Sequence, residues 1–137
     1  MHIPEPVLAL IEHEQKSQHG LFVPDDKEYF EKLARHAELI IHQDSSGVLG
    51  YVFFYCNAVD KKASYITLIG TSAQARGKGV GYGLLQHVLH TSKQRGFACC
   101  QLEVRKTNTR ALDFYQQIGF AVEEDRGEKY LMSIASR

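Results

Sequence analysis

The sequence predicts a single α/β domain, a mixed and mostly antiparallel sheet flanked by helices. Three observations carry that expectation. At 137 residues the chain has the usual size of one compact domain. Two runs rich in β-branched and aromatic residues, 38–43 and 48–56, flank the polar tetrapeptide DSSG and form an antiparallel hairpin. Beyond the hairpin, strand and helix periodicities alternate to the end of the chain, the order that lays helices on a sheet.

The elements follow in order. Residues 5–18 carry Val7, Leu8, Leu10 and Ile11 at approximately helical spacing and run into the polar stretch SQHG. In a second helix Asp25 acts as N-cap with Glu28 three residues on. Tyr29, Phe30, Leu33, Ala34 and Ala37 form its apolar face, and it ends near His36. After the hairpin a strand spans 63–71 (ASYITLIGT), and from Gly79 to Arg95 the residues Val80, Leu84, Leu85, Val88 and Leu89 recur at helical spacing, with Gly96 as the stop. Residues 97–105 alternate, with Cys100, Leu102 and Val104 on one side and Cys99, Gln101, Glu103 and Arg105 on the other. Asn108 or Thr109 caps a short helix with Ala111, Phe114, Tyr115 and Ile118 on one face, stopped by Gly119. Two closing strands, near 119–124 and 128–134, flank DRG.

Composition excludes several classes. Lys plus Arg and Asp plus Glu both number 16, so the basic excess of a nucleic-acid binder is missing. The apolar stretches are shorter than the ~18 residues a membrane span needs, and the N-terminus, with Glu5 and Glu12, lacks a signal peptide's basic start. Cys56, Cys99 and Cys100 are an odd count with two adjacent, which reads as reduced core residues rather than a disulfide framework. A cytoplasmic protein with no nucleic-acid or membrane partner is expected.

Glycines at 77, 79, 81 and 83 lie between a strand and an amphipathic helix. Without side chains there, backbone N–H groups can converge on an anion, and the helix dipole together with Arg76 and Lys78 favours phosphate. A simple turn or tight helix–strand packing is the alternative. The dinucleotide and P-loop spacings are both absent.

The run Arg76-Gly77-Lys78-Gly79-Val80-Gly81 resembles the RxxGxG signature of the GCN5-related N-acetyltransferase (GNAT) superfamily, and LEVRKTNTRALDFYQQIGF, residues 102–120, is similar to that family's second motif. The resemblance covers most of the chain. It implies an acetyl-CoA-dependent N-acetyltransferase with a GNAT-like fold, no metal, an amine acceptor and room for a homodimer. It implies a helical acceptor-side region at 1–37 and a cofactor-binding core at 38–135. Cofactor contacts would come from the strand end Ile69-Gly70-Thr71, from Arg76 to Gly81 and from Asn108.

Acetyl transfer from a thioester to an amine needs a neutral amine, a stabilised oxyanion and a protonated leaving thiolate. Tyr115, with a reference pKa near 10, matches the family's general-acid tyrosine, although its helical stripe is equally that of a core residue. Glu103 is the expected base, by resemblance to ribosomal-protein N-terminal acetyltransferases in the same LEVR context. A solvent-facing glutamate is its ordinary alternative, with a water chain or an already neutral amine as other routes. A backbone N–H of Ile69 or Gly70 is the implied oxyanion donor. His87 and His90, one turn apart without a third ligand, read as surface residues.

The sequence departs from the family at two places. No first strand is evident before the N-terminal helix, unless LFV at 21–23 supplies it, and Thr71 and Ala73 stand where an apolar residue and a proline are common. The acceptor is unspecified: Glu123, Glu124 and Asp125 are either a cation-attracting turn or a solvated hairpin end. A non-catalytic acyl-CoA-binding module on the same fold and an unrelated nucleotide-phosphate binder are the competing classes.

Overall fold

The computed structural model describes residues 1–17 and 27–136, apart from the side chains of 15–17. Its elements run α1 (Glu5–Ser17), α2 (Lys27–His36), β1 (Glu38–Asp44), β2 (Gly47–Tyr55), β3 (Ala63–Thr71), a 3-10 turn (Ala73–Ala75), α3 (Val80–Gln94), β4 (Cys99–Arg105), α4 (Thr109–Ile118), β5 (Ala121–Asp125) and β6 (Lys129–Ala135). The expected cap Asp25 and the expected short strand at 21–23 fall outside the described residues. Residues 1–4, ahead of α1, are not a strand.

Among the described residues, six strands form one sheet in the order β1-β2-β3-β4-β6-β5, with β3–β4 the parallel pair. Local chemistry sets the elements. In the first hairpin Asp44 accepts from both the N–H and the hydroxyl of Ser46, and Gly47 takes the positive φ that the turn needs. Gly96 (φ 84°) follows the end of α3, where its N–H bonds back to Lys93. The strand expected from residue 97 begins two residues later, because Phe97 turns inward to 4% exposure while its N–H still bonds Ser92 at the helix end.

The sheet separates two apolar layers. On one face Val52, Phe54, Ile66, Leu102 and Met132 pack with α3 and α4 residues such as Leu85 and Val88. On the other, Tyr51, Phe53 and Leu68 pack against Val7 and Ile11 of α1 and Leu33 of α2. Each fully buried aliphatic side chain contributes roughly 1.5–3 kcal/mol, so both layers matter to stability. Arg95 adds a cross-brace by gripping Glu38 with both terminal nitrogens and reaching the Cys56 carbonyl.

Two irregularities in β3 position the site. Phe53 pairs with Leu68 but Phe54 pairs with Ile66, so Thr67 is an extra residue in the strand. This bulge reverses the alternation: Ile66 joins the α3 side and Leu68 the α1 side. The parallel ladder with β4 ends at Ile66 opposite Leu102, although β3 continues to Thr71 and β4 to Arg105. The two strands part beyond that point, and among the described residues no strand pairs with that edge of β3.

Candidate active site

The gap between the strands opens into a cavity of about 700 Å³. Its floor is the end of β3, and Ile69, Gly70 and Thr71 all line it. Ser72 donates its N–H to Leu49 across the ladder, and the pairing alternates along an antiparallel strand. The N–H groups of Ile69 and Thr71 therefore face away from β2, toward the open edge.

One wall is the glycine turn. Gly77 (φ 77°) and Gly79 (φ 79°) both adopt left-handed backbone, which a side chain would strain. Gly79 is the N-cap of α3, and Gly83 donates back to its carbonyl. The N–H groups of Val80, Gly81 and Tyr82 thus occupy the first helical turn, where no intrahelical acceptor exists. Arg76, Gly77, Gly79, Val80 and Gly81 line the cavity, whereas Lys78 does not. The exposed Lys78 lies near Asp44, whose carboxyl it helps to hold below the usual range after the larger effect of the Ser46 bonds. Gly81 and Gly83 are helical, so the turn that requires glycine is Gly77-Lys78-Gly79.

The opposite wall is the start of α4. Asn108 caps it by accepting the Ala111 N–H at 3.2 Å, which also aims a second helix N-terminus at the cavity. Tyr115 lies between the core and the cavity. Its ring packs with Phe114 and Phe120, at centroid distances of 5.5 and 5.8 Å, within the core, and it also lines the cavity. Burial pushes its phenol up to about 12, so it stays protonated at any physiological pH.

The structure adds a residue that motif reading passed over. Glu14 of α1 lines the same cavity and is only 6% exposed. Tyr51 donates to its Oε1 at 3.0 Å, and the backbone N–H of Thr71 also bonds the carboxyl. Gly70 makes the room: a Cβ there would lie 2.2 Å from Glu14 Oε1 and 2.5 Å from the Tyr51 hydroxyl. Burial raises the Glu14 carboxyl to about 7, against the opposing pull of Tyr51, Arg76 and Thr71. The signal was present in sequence, since Glu14 continues the Val7, Ile11 stripe at i, i+4, i+7.

Glu103 is not brought into the cavity. It projects from β4 on the same side of the sheet as Tyr65, whose hydroxyl donates to it at 3.3 Å, and Arg126 of the last hairpin bonds its other oxygen at 3.1 Å. Gln101 on the same strand face donates to Glu123. The three cysteines are free, and burial lifts the Cys100 thiol to about 11, which suits a packed residue rather than a nucleophile.

A strand with one unpaired edge, leading into a two-glycine turn at a helix N-terminus, defines a fold built to hold an extended, phosphate-bearing ligand beside its backbone. The chain belongs to the acetyltransferase (GNAT) family, which it matches over residues 7–120. It is 36% identical over 72 residues to N-alpha-acetyltransferase 50 of Danio rerio, a match covering 52% of this chain and 43% of that protein. Among solved structures it is similar to Ard1 from Thermoplasma volcanium (TM-score 0.79, 19% identity, 99% of this chain and 95% of that one). It is also similar to Arabidopsis thaliana Naa50 in complex with the bisubstrate analogue CoA-Ac-MVNAL (TM-score 0.74, 20% identity, 98% and 95%). The chain spans somewhat under half the length of the curated relatives it matches.

Proposed function

We propose that this protein moves the acetyl group of acetyl-CoA directly to a primary amine. The observation that carries the reading is the shared cavity: the glycine turn, the open edge of β3 and the Tyr115 side chain all border it. The pyrophosphate would sit on the N–H groups of the Gly77–Tyr82 segment with Arg76 as counter-charge, and Asn108 would border the cofactor from α4. The pantetheine arm would lie along the open edge of β3. The Ile69 N–H is a preformed donor for the thioester carbonyl oxygen and for the oxyanion that replaces it.

In this scheme the amine attacks the thioester carbon, the C–S bond breaks, and Tyr115 gives its proton to the departing thiolate. Glu103, on the sheet face beside Tyr65 and Arg126, is proposed to attract the cationic acceptor as it approaches, before its amine enters the cavity. The acceptor side is assigned to α1, α2 and the final hairpin. A peptide α-amine is the favoured acceptor, supported by likeness to proteins whose names specify N-terminal acetylation. A cytoplasmic location is supported by three free cysteines, and no helix among the described residues is long and apolar enough to cross a membrane.

Thiol release from acetyl-CoA, measured against peptides with free N-termini, polyamines and amino sugars, tests the reading. Release with at least one amine is expected. Binding of acetyl-CoA without release for any amine would leave a non-catalytic acyl-CoA module, and absence of binding would remove the cofactor assignment.

A further inference from the structure

The geometry points to Glu14 as the group that takes the proton from the acceptor amine, a role resting on the transfer reaction proposed above. Glu14 is the carboxyl that borders the cavity together with Tyr115. It is buried, and it lies over the strand edge along which the thioester would run. Two donors hold it, the Tyr51 hydroxyl from β2 and the Thr71 N–H from β3. Both bonds strengthen its ionised form, and Gly70 leaves open the space that the carboxyl fills.

Among the described residues, charged and titratable groups face it from the turn after β3, from β2 and, through Tyr51, from α2. Arg76, from the turn after β3, favours the carboxylate at a distance, and Tyr51 donates directly while itself feeling Tyr29 of α2. Desolvation outweighs these and brings the carboxyl to about 7, so that near neutral pH it is partly ionised and can cycle. The step balances without a co-reactant. The ammonium loses one proton to the Glu14 carboxylate, which releases it to solvent, and the neutral amine nitrogen bonds the acetyl carbon. The C–S electron pair leaves on sulfur and takes the Tyr115 proton, while the nitrogen gives its second proton to Glu14, from which the phenolate is restored, leaving a neutral amide and a thiol.

The test is the pH profile of kcat/KM for wild type, Glu14→Gln and Tyr51→Phe. The acceptor is a peptide with a free N-terminal Met or spermidine, whichever gives the faster thiol release. Taking the ratio of each variant to wild type cancels the titration of the acceptor itself. Wild type is expected to gain activity as pH rises through about 7, which is where Glu14 ionises. Glu14→Gln should lower kcat by ~10²-fold or more and abolish that limb, with acetyl-CoA affinity changed by less than about threefold. Tyr51→Phe, which removes a donor from the carboxylate, should keep the limb and move it to higher pH. A limb unchanged in Glu14→Gln, or a loss confined to acetyl-CoA affinity, overturns the assignment. Absence of transfer in wild type with every amine overturns instead the reading on which it rests.

Discussion

Glu14 and Tyr115 are both buried in the same cavity, and burial raises the proton affinity of both. For a carboxyl this brings ionisation up to neutral pH, and for a phenol it moves ionisation further away. One side chain becomes able to accept a proton while the other becomes reluctant to lose its own except to a strong base such as a departing thiolate. Tyr115→Phe is expected to slow the chemical step ~10²-fold with acetyl-CoA affinity little changed, as single-turnover kinetics would measure. Glu14 also has a signature in stability. Its folded-state proton affinity lies above the unfolded value, so its stabilising share is complete below about pH 4.5 and is lost as pH rises through about 7. The loss is on the order of 3 kcal/mol. Glu14→Gln should therefore raise the melting temperature at pH 8 by about 10 °C, with little change at pH 4.5, as calorimetry would report. At this scale the sequence pointed to Tyr115 through its resemblance to a motif, and the cavity lining includes it. Glu14 was hidden because a carboxylate on a helical stripe resembles a break in the stripe until the strand opposite it is known to present Gly70.

At the scale of elements, the turn between β3 and α3 separates glycines that sequence spacing treats alike. Gly77 and Gly79 sit at left-handed φ, whereas Gly83 lies exposed inside α3 with nothing within 4 Å of where a Cβ would stand. Gly83→Ala should stabilise the protein by ~0.5–1 kcal/mol through helix propensity and leave cofactor binding intact. Gly79→Ala should destabilise it by roughly 1 kcal/mol and weaken acetyl-CoA binding, because the N-cap backbone has to shift. Denaturant melts and titration calorimetry on the two variants check both. The elements themselves were legible: strand alternation in 99–105, the Asn108 cap and the Gly119 stop follow from local chemistry. The divergence of β3 from β4 was not, since it depends on a one-residue bulge at Thr67 that leaves no mark in a run of apolar residues.

The whole molecule is a sheet whose two apolar layers are complete but whose ladder is interrupted. Binding to the folded state alone must stabilise it, by ~2.7 kcal/mol at a hundredfold excess over Kd. Acetyl-CoA or CoA should thus raise the melting temperature by about 10 °C, and ATP should raise it much less, having phosphates but no pantetheine; equal shifts would leave only a phosphate site. The mixed, mostly antiparallel sheet was legible from element order, while strand order and the covering of each face required the long-range pairings. The parted strands have a kinetic corollary. The amide proton of Ile69 belongs to a central strand, yet among the described residues no strand pairs with that edge, so in the free protein it should exchange with deuterium faster than those of Leu68 and Gly70 on either side. A ligand that lays its own amides along that edge acts as a removable strand, and the protection it confers would trace its path one residue at a time.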